Sequence, residues 1–234
     1  MNKFKIIIPV YNSEKWIEKC LKILNDQTYK NWNAVIINDA SHDETLIKIK
    51  KFFTSISFED KSRYRVFDRK NNVGALKNIV DGIEMSCCKD EDIVILLDGD
   101  DYLSSVDVLE YLNQIYESEN IWLTYGQYVN LSNNKIGLNR PLKSSRDYRK
   151  KMSGDDYWCT SHLRTFKYKI WKMIKDEDLK DKTGNYYSMA WDLAIMYPLI
   201  EMSGIDRIKF IDKVLYIYME YRISQKNDRW NRCQ

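Results

Sequence analysis

The chain has 234 residues, a formal net charge of +3, 30% charged and 44% hydrophobic residues, which is the composition of a globular protein long enough to bury one proper core. So small a net charge, with basic residues scattered apart from one concentration over residues 143–151, argues against a nucleic-acid binder. The five cysteines, Cys20, Cys87, Cys88, Cys159 and Cys233, show no CxxC or Cys/His ligand spacing, so neither a disulfide framework nor a zinc site is expected.

In chain order, residues 4–10 (FKIIIPV) form a short buried strand. It starts too early to leave room for a signal peptide, and no apolar run reaches the length of a membrane span, so a cytoplasmic location is expected. Ser13 is expected to cap a helix with Trp16, Ile17, Cys20, Leu21 and Leu24 on one face. A second strand over 33–39 is followed by a helix over 41–53. A third strand over 63–67 leads through Asn71-Asn72-Val73-Gly74 into a helix over about 75–86. The fourth strand, Ile93-Val94-Ile95-Leu96-Leu97, shows no alternation and so reads as buried on both faces, and a helix follows over 106–116. Residues 121–129 read as another strand. The segment 131–156 is polar and basic without a period and reads as a mobile cover for the crevice; an amphipathic run then ends at Ile174. Ser188 is expected to cap a helix over 189–202 that is apolar almost all round, in which Asp192 is the one charge before Glu201. A carboxylate there is desolvated unless it faces a polar cleft, which makes Asp192 a candidate proton acceptor. Residues 208–211 and 214–218 read as a final strand pair, and residues 221–234 as a polar tail.

Four strand-to-helix units in succession predict an α/β fold with a mostly parallel sheet, helices on both faces and right-handed crossovers. Ligands of such sheets bind beyond the carboxyl ends of the strands. Here those ends carry Tyr11-Asn12, Asn38-Asp39, Asn72 to Gly74 and Asp98-Gly99-Asp100-Asp101, four polar clusters facing one crevice. Three carboxylates within four residues repel one another, and a hard divalent cation with oxygen ligands relieves that repulsion. Gly99 keeps the turn narrow. There is no GxGxxG and no P-loop, so a bound diphosphate would need a metal to offset its charge.

These motifs, Ile8-Pro9-Val10-Tyr11-Asn12, Asn38-Asp39-Ala40-Ser41-His42-Asp43, Asn72-Val73-Gly74 with Asn78, and Leu97-Asp98-Gly99-Asp100-Asp101, resemble the family 2 glycosyltransferases, nucleotide-sugar enzymes of the GT-A (Rossmann-like) fold. The resemblance covers residues 3–130 well and the rest weakly. It implies one domain over 1–234, with a nucleotide-sugar half (1–130) and an acceptor half (131–234). It implies that Pro9, Tyr11, Asn12, Asp39, Asn72, Gly74, Asn78, Asp98 and Gly99 form the donor-nucleotide site. Tyr11 would lie beside the base, Asp39 would bond to uracil or ribose, and Asp98 would face the ribose. Asp100 would hold Mn²⁺ or Mg²⁺ against the diphosphate, Asp101 would steady the turn, and Asp192 falls where the family keeps its catalytic base. The implied reaction is inverting transfer from a donor, UDP-sugar favoured, to a hydroxyl of a glycan, glycolipid or glycoprotein. Three departures stand out. Asn38-Asp39 replaces the usual Asp-Asp, which weakens base recognition; Trp191 replaces the Glu that commonly precedes the catalytic Asp; and Lys77 stands where an Arg is customary.

Each assignment has a plainer alternative. Asp39 also suits a helix cap, and Asp192 a first-turn residue favoured by the helix dipole. His162 and Arg164 suit acceptor or phosphate binding or a structural role, while Trp158 suits sugar stacking or the core. Trp191 joins them on the acceptor side. Residues 225–230 are one residue too long for the Gln-x-x-Arg-Trp motif of processive synthases. Two rival functions are a nucleotidyltransferase, which lacks its basic Gly-rich loop here, and a non-catalytic sugar-nucleotide-binding scaffold, which would bind donor without turning it over.

Overall fold

The computed structural model describes residues 1–144 and 158–219. The basic concentration beyond residue 144, residues 145–156 of the proposed cover and the tail motif lie outside the described residues. The chain alternates β1 (Phe4–Val10), α1 (Ile17–Asn25), β2 (Trp32–Asn38), α2 (Thr45–Ser55), a short α3 (Phe58–Ser62), β3 (Tyr64–Asp68), α4 (Ala75–Met85) and β4 (Ile93–Leu96). It continues through β5 (Tyr102–Leu103), α5 (Val108–Ser118), β6 (Leu123–Asn130), β7 (Lys135–Ile136), β8 (Arg164–Lys167), α6 (Tyr168–Trp171), α7 (Trp191–Ser203) and β9 (Ile208–Tyr218).

The strands make one sheet in the order β3-β2-β1-β4-β8-β6-β9-β5, with β7 added to β6. The four N-terminal strands are parallel, as expected of strand-helix units. Beyond β4 the sheet is mixed: β8 enters antiparallel between β4 and β6, whereas β9 runs parallel to β6. Alternation along β1 divides the interior in two. Phe4, Ile6, Ile8 and Val10 pack with α1, α2 and α5, while Ile7 faces α4 and α7 in a second core. Gly82 allows α4 to press onto the sheet, since a Cβ there would stand 2.6 Å from Ile7 Cγ2.

Several local expectations are corrected. Ser13 does not cap α1 with its side chain: its Oγ donates to the Tyr11 carbonyl, its own carbonyl accepts from the Trp16 and Ile17 amides, and the helix starts at Ile17. Ser188 does not cap α7 either; Ala190, in the left-handed region at φ 51°, precedes it without a side-chain bond. The final strand pair is one strand, β9, whose register against β6 slips around Gly126 and Gln127 so that Asp212 and Lys213 bulge outward. The start of the presumed mobile cover is anchored, because Gln127 Nε2 donates to the Asn139 carbonyl and the Leu142 amide donates to Tyr125 Oη.

Candidate active site

Three loops at the carboxyl ends of β1, β2 and β3 are stitched together by short polar side chains. Asn12, at φ 49°, accepts the His42 amide on its Oδ1 at 2.9 Å, and its own amide donates to Ser41 Oγ at 3.0 Å. Asp39 is buried at 2% exposure, and its two carboxylate oxygens accept the Val73 and Gly74 amides, both at 2.9 Å. Asn72 Nδ2 donates to the Asp39 carbonyl at 3.1 Å. Gly74, at φ 89°, turns the chain into α4. Asp39 therefore grips the approach to α4 without capping a helix, since neither α2 nor α4 has a side-chain cap bond, and it borders the crevice. Asn38 turns the other way: its Nδ2 donates to Asp68 and its Oδ1 accepts Ser41 Oγ.

The acidic turn extends the β1–β4 pairing. The Leu97 and Gly99 amides donate to the Ile7 and Pro9 carbonyls, both at 3.1 Å. A Cβ on Gly99 would stand 2.6 Å from Val10 Cγ2, a β-branched side chain with nowhere to move. Gly99→Ala is therefore expected to cost about 1–3 kcal/mol in urea denaturation, and adding Val10→Ala to relieve part of it beyond additivity.

Asp98 and Asp100 open into a cleft of ≈ 240 Å³ that is also lined by Pro9, Tyr11, Ser13, Asp39, Asn78 and Trp191. Larger grooves lie elsewhere, one of ≈ 580 Å³ between α1 and α2, but it carries dispersed charges of both signs; the chemistry of the smaller cleft makes it the candidate site. Burial first, and then the neighbouring Asp100, pushes the Asp98 carboxyl up, with Asp192 adding to the rise and Arg164 opposing it. Burial also raises Asp100. Asp101 is 1% exposed and raised by burial and by its two acidic neighbours; its oxygens accept Tyr216 Oη and the Met219 amide, both at 2.7 Å. That anchoring agrees with a turn-steadying role.

His162 comes to the same turn, which the sequence reading did not foresee. It stacks on Tyr216 with ring centres 4.6 Å apart, and its ligand atom lies with those of Asp98 and Asp101 within a 4.8 Å group. Burial, with the Arg164 charge adding, holds its pKa well below the usual histidine value, so it is neutral. Arg164, on β8, pairs with Asp192 at 3.4 Å and lies 5.5 Å over the Trp191 ring. Asp192 occupies the first turn of α7 with 27% of its side chain exposed, so it is not an isolated buried charge; it faces a cation. Trp158 is elsewhere, edge-on to Tyr197 against the second core. Lys77 pairs with Asp81 along α4. The contacts of Tyr216 and Met219 carry no sequence signal, because they come from β9 and the residue after it, more than a hundred residues downstream.

The profile of glycosyl transferase family 2 matches residues 5–177. The chain belongs to glycosyl transferase family 2. It is 28% identical over 185 residues to an uncharacterized glycosyltransferase of Haemophilus influenzae, covering 76% of this chain and 69% of the relative. Its fold is that of Staphylococcus aureus TarS, solved with UDP-GlcNAc, at TM-score 0.67 and 20% identity, covering 94% of this chain and 59% of that one. A mannosyltransferase of Pyrobaculum calidifontis, solved with GDP-Man and Mn²⁺, superposes at TM-score 0.63 and 15% identity, covering 97% and 59%. The chain thus spans about three-fifths of these solved relatives' length. The architecture is the GT-A fold, and no helix among the described residues is long and apolar enough to cross a membrane.

Proposed function

We propose that this protein transfers a sugar from a nucleotide-diphosphate donor, UDP-sugar favoured, to a hydroxyl of a glycan, glycolipid or glycoprotein, with inversion at the anomeric carbon. Residues 1–130 hold the donor and residues 131–234 the acceptor side of a single domain. The observation that carries the reading is the set of carboxylates at the cleft, Asp98 and Asp100 with Asp192 beside them, facing the buried guanidinium of Arg164. Relatives solved with UDP-GlcNAc and with GDP-Man and Mn²⁺ support the donor class.

The donor set suits Mn²⁺ or Mg²⁺. The proton affinity of Asp98 stays raised although Arg164 opposes the rise, and that of Asp100 is raised by burial, so the cleft retains uncompensated negative charge; oxygen ligands with a neutral imidazole at hand are ones hard divalent ions accept. Asp100 and Asp98 would hold the ion from the cleft, with His162 behind Asp98; Asp101 is already committed to Tyr216 and Met219. When bound, such an ion stabilises the negative charge that grows on the leaving diphosphate. Tyr11 and Asp39 border the nucleotide, and Trp191 forms the cleft wall toward the acceptor. The carboxylate of Asp192 accepts the proton of the attacking hydroxyl, while Arg164 holds that carboxylate in place. Attack from the face opposite the leaving group inverts the anomeric carbon.

The test is thermal-shift titration with UDP with and without Mn²⁺ or Mg²⁺, followed by a donor screen read by UDP release. Stabilisation by UDP is expected only with metal, and one donor is expected to be turned over. Equal stabilisation without metal refutes the metal assignment, and donor binding without turnover in the presence of varied acceptors favours a non-catalytic scaffold.

A further inference from the structure

Asn78 sits in the first turns of α4, fully buried at 0% exposure, and lines the cleft. Its Oδ1 accepts the Nε–H of Arg69 at 2.5 Å, and its Nδ2 has no hydrogen-bond partner. Leaving a buried donor without a partner is unfavourable, so one that borders a binding cleft is expected to be satisfied by what binds there.

Which end of the amide faces the cleft is fixed by its neighbour. A guanidinium has donors only, so the amide must turn its oxygen toward Arg69 and its N–H₂ away. Arg69 is itself held. It forms an ion pair with Asp81, whose other oxygen is paired with Lys77, and its backbone amide donates to the Asn38 carbonyl at 2.9 Å. The sense of the Asn78 amide is thus imposed by a chain of charges that does not touch the cleft.

Position decides what meets the amide. Arg69 follows β3, while the acidic turn follows β4, and in the sheet order β3-β2-β1-β4 these lie on opposite sides of β1 and β2. Asn78 therefore belongs to the end of the cleft away from the carboxylates that face the diphosphate. In a pyrimidine nucleotide the 4-position lies across the ring from the ribose. Uracil presents a carbonyl oxygen there and cytosine an amino group. An N–H donates to the first and is mismatched with the second, which is itself a donor.

We infer that Asn78 reads the 4-carbonyl of a uracil base and that Arg69, anchored by Asp81, is the positioning residue that sets the direction of this reading. The inference rests on the nucleotide-sugar assignment above. It is tested by calorimetric titration of UDP and CDP, with Mn²⁺, into the wild type, Asn78→Asp and Arg69→Met, with circular dichroism and thermal unfolding as controls of folding. The wild type is expected to favour UDP by about tenfold or more. Asn78→Asp places an acceptor where the donor was, so the ratio is expected to collapse or reverse. Arg69→Met frees the amide to turn, and the ratio is expected to fall to within about threefold without loss of the fold. If Arg69→Met does not fold, Asn78→Asp decides alone. Wild-type affinities within about twofold of each other, or a wild-type ratio kept in a folded variant, overturn the inference while leaving the nucleotide site intact. Failure of the wild type to bind either nucleotide overturns the nucleotide reading itself, and the inference with it.

Discussion

Replacing Asp192 with asparagine is expected to cut sugar transfer by roughly 10²–10⁴-fold while donor affinity stays within about twofold, because a general base acts on turnover and not on ground-state binding. The geometry makes this a sharp experiment. Asp192 has a second occupation, the pairing with Arg164 at 3.4 Å, and the buried guanidinium is also felt by Asp98. If Asp192 served only to neutralise Arg164, the substitution would leave a buried cation seeking Asp98, shifting stability and metal-dependent donor binding with little change in turnover of bound donor. Burst-free steady-state rates alongside calorimetric donor affinity separate the two outcomes. Near-normal turnover in a variant that still binds donor rules Asp192 out as the base.

The second large effect is expected at Asp100, where function and stability should move in opposite directions. Its carboxyl is raised by burial, so the folded protein binds the proton more tightly than the unfolded chain does. By linkage the folded state therefore loses stability as pH climbs from the ordinary carboxylate range of about 4 toward the raised folded value. Asp98 and Asp101 are raised as well and steepen the loss. Metal-free wild type is accordingly expected to melt at lower temperature at pH 8 than at pH 5, and Asp100→Asn to flatten part of that slope. The same variant should lose metal-dependent UDP stabilisation and lower transfer on the order of 10²–10³-fold or more, since charge on the leaving diphosphate is no longer met. Melting curves over pH with and without Mn²⁺, together with rates, check both halves. A steeper slope in Asp100→Asn, or full activity, contradicts the assignment.

The N-terminal half was legible from the sequence because its logic is local. A non-alternating apolar run such as Ile93 to Leu97 has to be a strand covered on both faces, and the polar residues at each strand end then have to share one edge. What escaped is what depends on distant segments. Nothing near Asp101 announces that Tyr216 and Met219 will take its two oxygens, and nothing near His162 announces that β8 will slot in antiparallel beside β4 and bring it under the acidic turn. Capping was read wrongly at Ser13 and Ser188 for the opposite reason. A short polar residue before an apolar stripe is a fair local signal, but the chain takes an extra turn before α1 and passes through a left-handed Ala190 before α7. Asp39 shows a third case. Helix cap and ligand were alternatives in the sequence, whereas in the fold the carboxylate caps no helix, holds the Val73 and Gly74 amides of the loop before α4 and borders the cleft.

That last arrangement bears on how the pocket would meet its ligand. With Asn12 tied to the loop after β2, and Asp39 and Asn72 tying that loop to the approach to α4, the loops at that end of the cleft are already joined by hydrogen bonds of 2.9–3.1 Å. A nucleotide arriving there has little backbone left to order. The conformational entropy that an open loop would surrender on binding has been surrendered on folding instead, so more of each new contact is retained as affinity.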